Sequence, residues 1–278
     1  FPLVLILQKC AAAIAAGCTV IVKPAEDTPL IALALAYLAN EAGLPKGVFN
    51  VITAQKPEKV CGTLLASPKT RKVSFTGSTS VGSLIMEKAA KNIINTSLEL
   101  GGNCPALIYH DADIAMAVQS TFWFKFYNAG QCCNNINRFL VDKRVVPTFI
   151  KTFKAFIDEH MKLGNGLDTQ NNLGPMINEA GVAKVERLLK DAIDKGAKLI
   201  TGGKRTAPGS LLFQPTLITN VTQEMEISQT EVFGPVASIQ VFEDDDEALS
   251  LANDSRFGLV GYCWTKSLAR AQAFQQRV

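Results

Sequence analysis

Helix-like and strand-like patterns alternate along the first hundred residues, and this alternation restricts the folds that the chain can adopt. Apolar residues at helical spacing are followed by short β-branched or apolar runs, and Gly or Pro separates several of these segments. The predicted helices cover 3–16, 28–42, 57–66 and 81–90, and the predicted strands cover 19–22, 48–52, 72–75 and 97–100. Such alternation predicts a parallel sheet with crossover helices, whose ligands bind beyond the carboxyl ends of the strands.

The pattern starts again at Pro105. A strand is predicted to Tyr109, a helix from about Asp113, and amphipathic helices over 147–161 and 179–195. A length of 278 residues suits about two domains. We therefore expect two α/β domains, 1–102 and 103–278.

Composition and charge exclude several classes of protein. The chain is 47% apolar, and its net charge of +3 comes from interleaved acidic and basic residues. Neither a disordered chain nor a basic nucleic-acid surface fits these values. With two histidines and no Cys-x-x-Cys pair, no metal site is expected. The seven cysteines are expected to be reduced thiols of a cytoplasmic protein.

The apolar opening segment, 1–22, is predicted to be a buried helix followed by a strand. Gln8 and Lys9 interrupt it and no basic region precedes it, which argues against a signal peptide or a membrane span. Because the chain begins with Phe1 and stops at Val278 directly after a helix-like run, we expect it to be the interior of a longer protein.

Two turns that follow predicted strands have the composition of a nucleotide site. Gly77, Ser78 and Gly82 lie where a strand leads into a helix whose free N–H groups could face a phosphate, although a tight turn is the favoured explanation of this segment taken alone. The spacing fits neither a P-loop nor the usual dinucleotide fingerprint. Lys23 and Glu26 follow a strand, where they could bind ribose hydroxyls or simply be solvated.

Two further segments could supply a nucleophile and a base. The loop 128–133 contains Gly130 and ends in Cys132 and Cys133. Such a loop can present a thiolate to a cleft. The alternative is that these cysteines are small buried apolar residues, as most cysteines are. Glu99 lies between apolar residues at a strand end, where burial would raise its pKa towards that of a useful base. A surface position for Glu99 is the alternative.

Taken together and in order, these segments resemble the aldehyde dehydrogenase superfamily over essentially the whole chain. Its succinate-semialdehyde dehydrogenases are the most similar subfamily, through 25–29, 163–166 and 201–205. The superfamily resemblance is carried by residues 22–26, 75–79, 99–102, 128–133 and 231–235.

The resemblance implies a role for each matched residue. Cys133 matches the nucleophile and Glu99 the general base. The implied cofactor contacts are Lys23 and Glu26 on the adenosine ribose, Gly77, Ser78 and Gly82 near the pyrophosphate, and Glu231 and Phe233 near the nicotinamide ribose. Residues 1–102 would then be part of a Rossmann-like NAD-binding domain, and 103–278 part of the catalytic domain.

The implied reaction is the NAD(P)-dependent oxidation of a small aldehyde to a carboxylic acid. Cys133 would form a thiohemiacetal and then a thioester, which a water activated by Glu99 would hydrolyse. Glu26 favours NAD over NADP, because its carboxylate would repel a 2′-phosphate. As a full-length protein, the chain is expected to form a homo-oligomer, without a nucleic acid or membrane partner.

The sequence also departs from the family. The oxyanion-stabilising Asn would stand immediately before Phe1, so the chain alone is predicted to be inactive or nearly so. Gln8 and Tyr127 occupy positions where the subfamily carries arginines for the substrate carboxylate. Asn135 replaces a second cysteine of the subfamily, which leaves Cys132 as the possible partner of a vicinal disulfide.

Two alternatives remain open at this point. A relative that transfers the acyl group to coenzyme A would usually lack Glu99, so its presence favours hydrolysis. The other alternative is a catalytically inactive relative, which would share the fold but have a binding or structural role.

Overall fold

The computed structural model describes residues 1–278. They divide into two compact units, 1–100 and 101–278. The boundary lies two residues before the one expected from the sequence.

The first unit alternates helices and strands in the order that the sequence predicts. Each predicted element of this unit is present, and no end is shifted by more than two residues. Its helices α1–α4 span Pro2–Ala15, Leu30–Glu41, Pro57–Ala66 and Thr79–Ala90, and its strands β1–β4 span Val20–Val22, Phe49–Val51, Lys72–Thr76 and Asn95–Glu99.

The strands of the first unit pair in parallel, as expected, but they form two separate pairs. Strand β1 pairs with β2, and β3 pairs with β4. Helix α1 connects the two pairs, because Nζ of Lys9 donates to Oγ1 of Thr76 at 2.7 Å. A small apolar core of Leu65, Ile85, Ala89 and Ile94 packs beneath β3 and β4.

The predicted burial of the first helix is wrong for this chain. Of the residues in α1 only Cys10 is buried, whereas Leu3, Val4 and Leu7 are each more than 40% exposed. The reason is that the apolar core of this unit forms around α3, α4, β3 and β4, and it does not extend over α1.

The second unit has more elements than the sequence analysis predicted, although each predicted one is present. Its helices α5–α10 span Ile114–Phe126, Val146–His160, Glu179–Asp194, Glu226–Gln229, Asp245–Asn253 and Leu268–Arg277. Its strands β5–β10 span Pro105–Ile108, Arg138–Asp142, Lys198–Thr201, Thr216–Thr219, Val236–Phe242 and Tyr262–Trp264.

These strands form one six-stranded sheet in the order β10-β5-β6-β9-β8-β7. All neighbours are parallel except β7, which is antiparallel to β8 at the edge. Alternate residues of β5 contribute to two different cores. Ala106 and Ile108 face the larger core with α5, α6 and α7, whereas Leu107, and Tyr109 directly after the strand, face the smaller core with α9 and α10. Burial on both faces explains the continuous apolar sequence of these strands.

The length and apolarity needed to cross a membrane are not reached by any helix of the chain.

Candidate active site

Cys133 lies in a tight turn between α5 and β6. The amide of Asn135 donates to the carbonyl of Cys132 at 3.1 Å, which places Cys133 and Asn134 at the centre of the turn. The Cys133 side chain is partly exposed, so its thiol is not enclosed in the apolar core.

The loop before this turn has an unusual backbone. Asn128, Ala129 and Gly130 all have positive φ, at 51°, 55° and 73°. Such angles are uncommon for residues with a side chain and are often found at functional sites. The buried side chain of Gln131 holds the loop, because it donates to the carbonyl of Asn128 at 3.0 Å and accepts from the amide of Ile177 at 2.9 Å.

Two glycines allow separate segments to approach the Cys133 turn. A Cβ on Gly130 would lie 2.1 Å from the carbonyl oxygen of Gly234, and a Cβ on Gly102 would lie 2.4 Å from that of Cys133. Both contacts are with backbone atoms, which cannot rotate away as a side chain can. The segments around residues 102, 130–133 and 234 therefore meet because glycine stands at these positions.

Glu231 lies against the same glycine segment. The amide of Gly102 donates to Oε1 of Glu231 at 3.3 Å. Burial raises the pKa of Glu231, although the Gly102 hydrogen bond and the charge of Lys184 act in the opposite direction. Phe233, two residues later, is 37% exposed and has a φ of 53°. Phe233 therefore combines an exposed position with left-handed backbone.

Glu99 does not have the burial that its neighbours in sequence suggested. It is the last residue of β4, paired with Thr76 of β3, and its side chain is exposed. The burial-based part of the prediction is wrong, because this strand alternates and Glu99 belongs to its exposed face. Leu98, the residue before it, instead packs against the small core of the first unit.

Lys23 and Glu26 form an ion pair in the loop after β1. Nζ of Lys23 donates to Oε1 of Glu26 at 2.5 Å, and this hydrogen bond lowers the pKa of Glu26. Pro24 is buried between them and fixes the loop. The ion pair is at the carboxyl end of a parallel strand, where ligands bind in sheets of this type.

The turn after β3 leads into α4 as the sequence predicts. Ser78 caps the helix, with Oγ accepting from the amide of Val81 at 3.4 Å. Packing accounts for both nearby glycines, because a Cβ would lie 2.5 Å from the Phe75 ring at Gly77 and 2.5 Å from the Leu100 side chain at Gly82.

Several polar residues around the site were not singled out in the sequence. Asn137 donates to the carbonyl of Thr230 at 3.0 Å and accepts from the amide of Val232 at 2.9 Å, so it holds both neighbours of Glu231. Asn103 receives a hydrogen bond from Asn137 and is also buried. Nothing in the local sequence distinguishes such buried amides from surface ones. Lys125, Arg138 and Tyr262 are further polar residues that the sequence analysis did not single out.

Cys132 does not share the environment of Cys133. Its Sγ lies 2.9 Å from Oδ1 of Asn134, and burial raises its pKa. All seven cysteines are free thiols in the structure, so the suggested vicinal disulfide is not formed in it.

Two open, charged cavities, of about 490 and 430 Å³, lie away from these residues. The first is lined by Lys143, Arg144, Glu243, Asp244, Asp245, Asp246 and Arg270. The second is lined by Glu186, Lys204, Arg205, Thr206, Ala207, Pro208 and Gly209. Neither contains a residue that the sequence analysis assigned to a site.

Comparisons with known proteins agree with one another. The family model described as "Aldehyde dehydrogenase family" matches residues 1–278. A succinate semialdehyde dehydrogenase of Acinetobacter baylyi is 46% identical over 278 residues, which are 100% of this chain and 57% of that protein. The chain thus spans somewhat more than half the length of this relative.

Solved structures show the same relationship. The crystal structure of a succinate-semialdehyde dehydrogenase from Burkholderia pseudomallei superposes with a TM-score of 0.97 at 42% identity, covering 100% of this chain and 57% of that one. The crystal structure of an E. coli NADP-dependent enzyme matches with the same TM-score, identity and coverage. The predicted α/β fold class is confirmed by these matches.

Proposed function

The chain belongs to the aldehyde dehydrogenase family, and we propose that it contributes the nucleophile, the base and the cofactor contacts for the NAD(P)-dependent oxidation of an aldehyde to a carboxylic acid. The observation that supports this most directly is the meeting of three segments in the second unit. Cys133 approaches Gly102 closely through its backbone carbonyl, and the amide of Gly102 donates to the carboxylate of Glu231.

Cys133 is the proposed nucleophile. Its thiolate adds to the aldehyde carbon and forms a thiohemiacetal, whose oxygen carries the negative charge until it is protonated or the adduct is oxidised. Bound NAD(P) supplies the hydride acceptor for oxidation of this adduct to a thioester on Cys133. The partial exposure of the thiol suits a group that must meet a diffusing substrate.

Glu99 is the proposed general base of the second step. Its carboxylate takes a proton from a water molecule, and the resulting hydroxide adds to the thioester carbon. The carbon–sulfur bond then breaks, which releases the carboxylic acid and regenerates the Cys133 thiolate. An exposed carboxylate at the end of β4 is accessible to that water.

The residues of the first unit fit a dinucleotide. Lys23 and Glu26 offer a cation and an ionised carboxylate to ribose hydroxyls, and Ser78 begins a twelve-residue helix whose first amides can face a phosphate. Glu231 and Phe233 are proposed to contact the nicotinamide ribose.

NAD is the proposed cofactor, with NADP as the alternative. The carboxylate of Glu26 would repel a 2′-phosphate, whereas Lys23 beside it would attract one. The similarity to an enzyme described as NADP-dependent keeps the alternative open. Titration of NADH and NADPH into the chain, followed by cofactor fluorescence, separates the two. Tighter binding of NADPH would contradict the proposal for NAD.

The substrate class is proposed to be small aldehydes, and succinate semialdehyde is the first to test because of the named relatives. Tyr127 is uncharged and 58% exposed. An uncharged aldehyde of similar size, such as pentanal, is the appropriate comparison.

The test of the proposed function traps the acyl group on the protein. Because the chain alone is expected to be nearly inactive, the Glu99→Gln variant is made in a protein that spans the full length of the relatives. It is incubated with NAD and an aldehyde, and peptide mass spectrometry locates the adduct. We expect acylation of Cys133, because hydrolysis of the thioester is slowed, and no acylation in the Cys133→Ser control. Acylation at another cysteine, in a chain that is folded, would contradict the assignment of the nucleophile.

A further inference from the structure

Tyr262 donates a hydrogen bond into the turn that carries Cys133. Its hydroxyl lies 2.7 Å from the carbonyl oxygen of Asn134, the residue directly after Cys133. The half-buried ring packs edge-on against Phe124 of α5, with 5.5 Å between the ring centroids. Burial raises the pKa of Tyr262, so its hydroxyl keeps the proton and remains a donor around neutral pH.

Lys125 binds the residues at the end of the same turn. Its side chain is 1% exposed, and Nζ lies 2.8 Å from Oδ1 of Asn135 and 2.8 Å from the carbonyl oxygen of Ile136. Asn135 returns the contact, because its Nδ2 donates to the carbonyl of Lys125 at 3.0 Å. The two side chains therefore lock the end of α5 to the residues that follow Cys133.

The chemistry of Lys125 suits this structural contact. Both of its acceptors are uncharged, and the titratable group that faces it is the buried thiol of Cys104. Burial lowers the pKa of Lys125 to about 7. A neutral amine has two N–H donors, which equals the number of acceptors, so the contact survives loss of the charge.

Cys104 completes the set of donors around the turn. Its Sγ lies 3.5 Å from the carbonyl oxygen of Cys133, and burial raises its pKa to about 11, so it remains a protonated donor. The carbonyl groups of residues 133, 134 and 136 thus each accept from a side chain at least 11 positions away. These contacts restrict the peptide planes on both sides of Asn134.

We propose that Tyr262 and Lys125 are positioning residues that hold the backbone of the Cys133 turn in the geometry for attack on a carbonyl carbon. This inference rests on the proposed function of Cys133 as the nucleophile. Neither residue needs to touch the substrate. A small displacement of a nucleophile is sufficient to slow attack at a trigonal carbon strongly.

The test compares two reactions of the same thiol, neither of which needs a cofactor. Attack on p-nitrophenyl acetate forms a carbon–sulfur bond and expels p-nitrophenolate, and it requires a defined direction of approach. Alkylation by iodoacetamide is a displacement at a small, mobile carbon and depends less on that direction. A role restricted to fold stability would leave the ratio of the two rate constants unchanged.

The variants are Tyr262→Phe and Lys125→Met, and Tyr109→Phe is the matched control. Tyr109 is a buried tyrosine of the second unit and packs against Phe242, away from the Cys133 turn. Removal of its hydroxyl is therefore expected to leave the turn unchanged. All samples, including the otherwise unmodified reference chain, carry Glu99→Gln so that the acetyl thioester is not hydrolysed. The rate constants for acetylation and alkylation of Cys133 are then measured by peptide mass spectrometry. Cys18, which is exposed, provides the reference thiol in each sample.

We expect acetylation of Cys133 to slow by about fivefold in Tyr262→Phe, which is the effect of one neutral hydrogen bond. In Lys125→Met two acceptors lose their donor, and we expect a loss of about tenfold or more. Alkylation of Cys133 should stay within about twofold in both variants, and Tyr109→Phe should match the unmodified chain.

The outcomes separate this inference from the proposed function. If Cys133 of the unmodified chain is not acetylated, the proposed nucleophile is wrong and the inference fails with it. If the unmodified chain is acetylated and Tyr262→Phe reacts at the same rate, only the positioning role is overturned. Should Lys125→Met fail to fold, Tyr262→Phe decides the question, because it removes one oxygen atom and keeps the ring.

Discussion

Replacement of Gly130 by alanine tests the close approach that joins the Cys133 loop to residue 234. The new Cβ would lie 2.1 Å from the carbonyl oxygen and 2.5 Å from the carbonyl carbon of Gly234. Ordinary contact of such atoms is at about 3.5 Å, so the backbone would have to move by more than an ångström. Overpacking of this kind costs about 1–3 kcal/mol, and the positive φ adds about 1–2 kcal/mol. We therefore expect the free energy of unfolding to fall by about 2–5 kcal/mol.

The chain contains a matched control for this variant. Gly209 has the same φ of 73°, but a Cβ there would meet nothing within 4 Å. Gly209→Ala therefore carries the cost of the φ angle alone, and its difference from Gly130→Ala isolates the contact. The assay is urea unfolding followed by tryptophan fluorescence. Both tryptophans, Trp123 and Trp264, belong to the second unit, so the signal reports on the unit that holds the loop. Equal losses in the two variants would refute the close approach at residue 130.

Three further predictions concern the same unit. Burial by itself would raise the pKa of Asp142, but the hydrogen bonds from Arg144 hold it at about 2, below its usual value. The resulting stability is therefore complete above about pH 4 and is lost as the pH falls towards 2. In Asp142→Asn the urea midpoint should lack this acid dependence, and an unchanged dependence would contradict the assignment. Iodoacetamide at pH 7 should modify the exposed Cys18 at least tenfold faster than the buried Cys104, whose thiol pKa is raised to about 11; mass spectrometry of the two peptides measures both. Asn137→Ala should lower the free energy of unfolding by about 2 kcal/mol, because it leaves buried backbone groups without partners, and a loss below about 0.5 kcal/mol would argue against that role.

Local sequence patterns were sufficient to predict the helices and strands of the first unit and those at the start of the second. The helix over Pro57–Ala66, for example, begins at its proline, and the strand over 72–76 carries a dense β-branched and aromatic run. The antiparallel edge strand Lys198–Thr201 was not predicted. It is only four residues long, and its pairing with Thr216–Thr219 is decided by contacts distant in sequence.

Only the site residues that belong to short sequence motifs could be predicted from the sequence. Cys133 and Glu231 stand in short recognisable segments, whereas the residues that hold them do not. Tyr262 is separated from Asn134 by 128 positions, and Asn103 from Ser255 by 152. A buried tyrosine or amide has no sequence signature, because its burial depends on which segments the fold brings together. The same limit explains Glu99, whose apolar neighbours suggested a burial that the alternation of its strand does not provide.

Packing explains the presence of several glycines in the motifs. It thereby also shows which site residues are not explained by packing. Five glycines of the motifs have a side-chain or backbone atom within 2.7 Å of the position that a Cβ would take: Gly77, Gly82, Gly101, Gly102 and Gly130. Their presence therefore follows from the fold and is not independent support for a ligand. Packing does not explain a partly exposed thiol at Cys133, an exposed carboxylate at Glu99 or an exposed ring on left-handed backbone at Phe233. Packing therefore does not predict these three groups, and the acylation experiment tests the proposed roles of Cys133 and Glu99 directly.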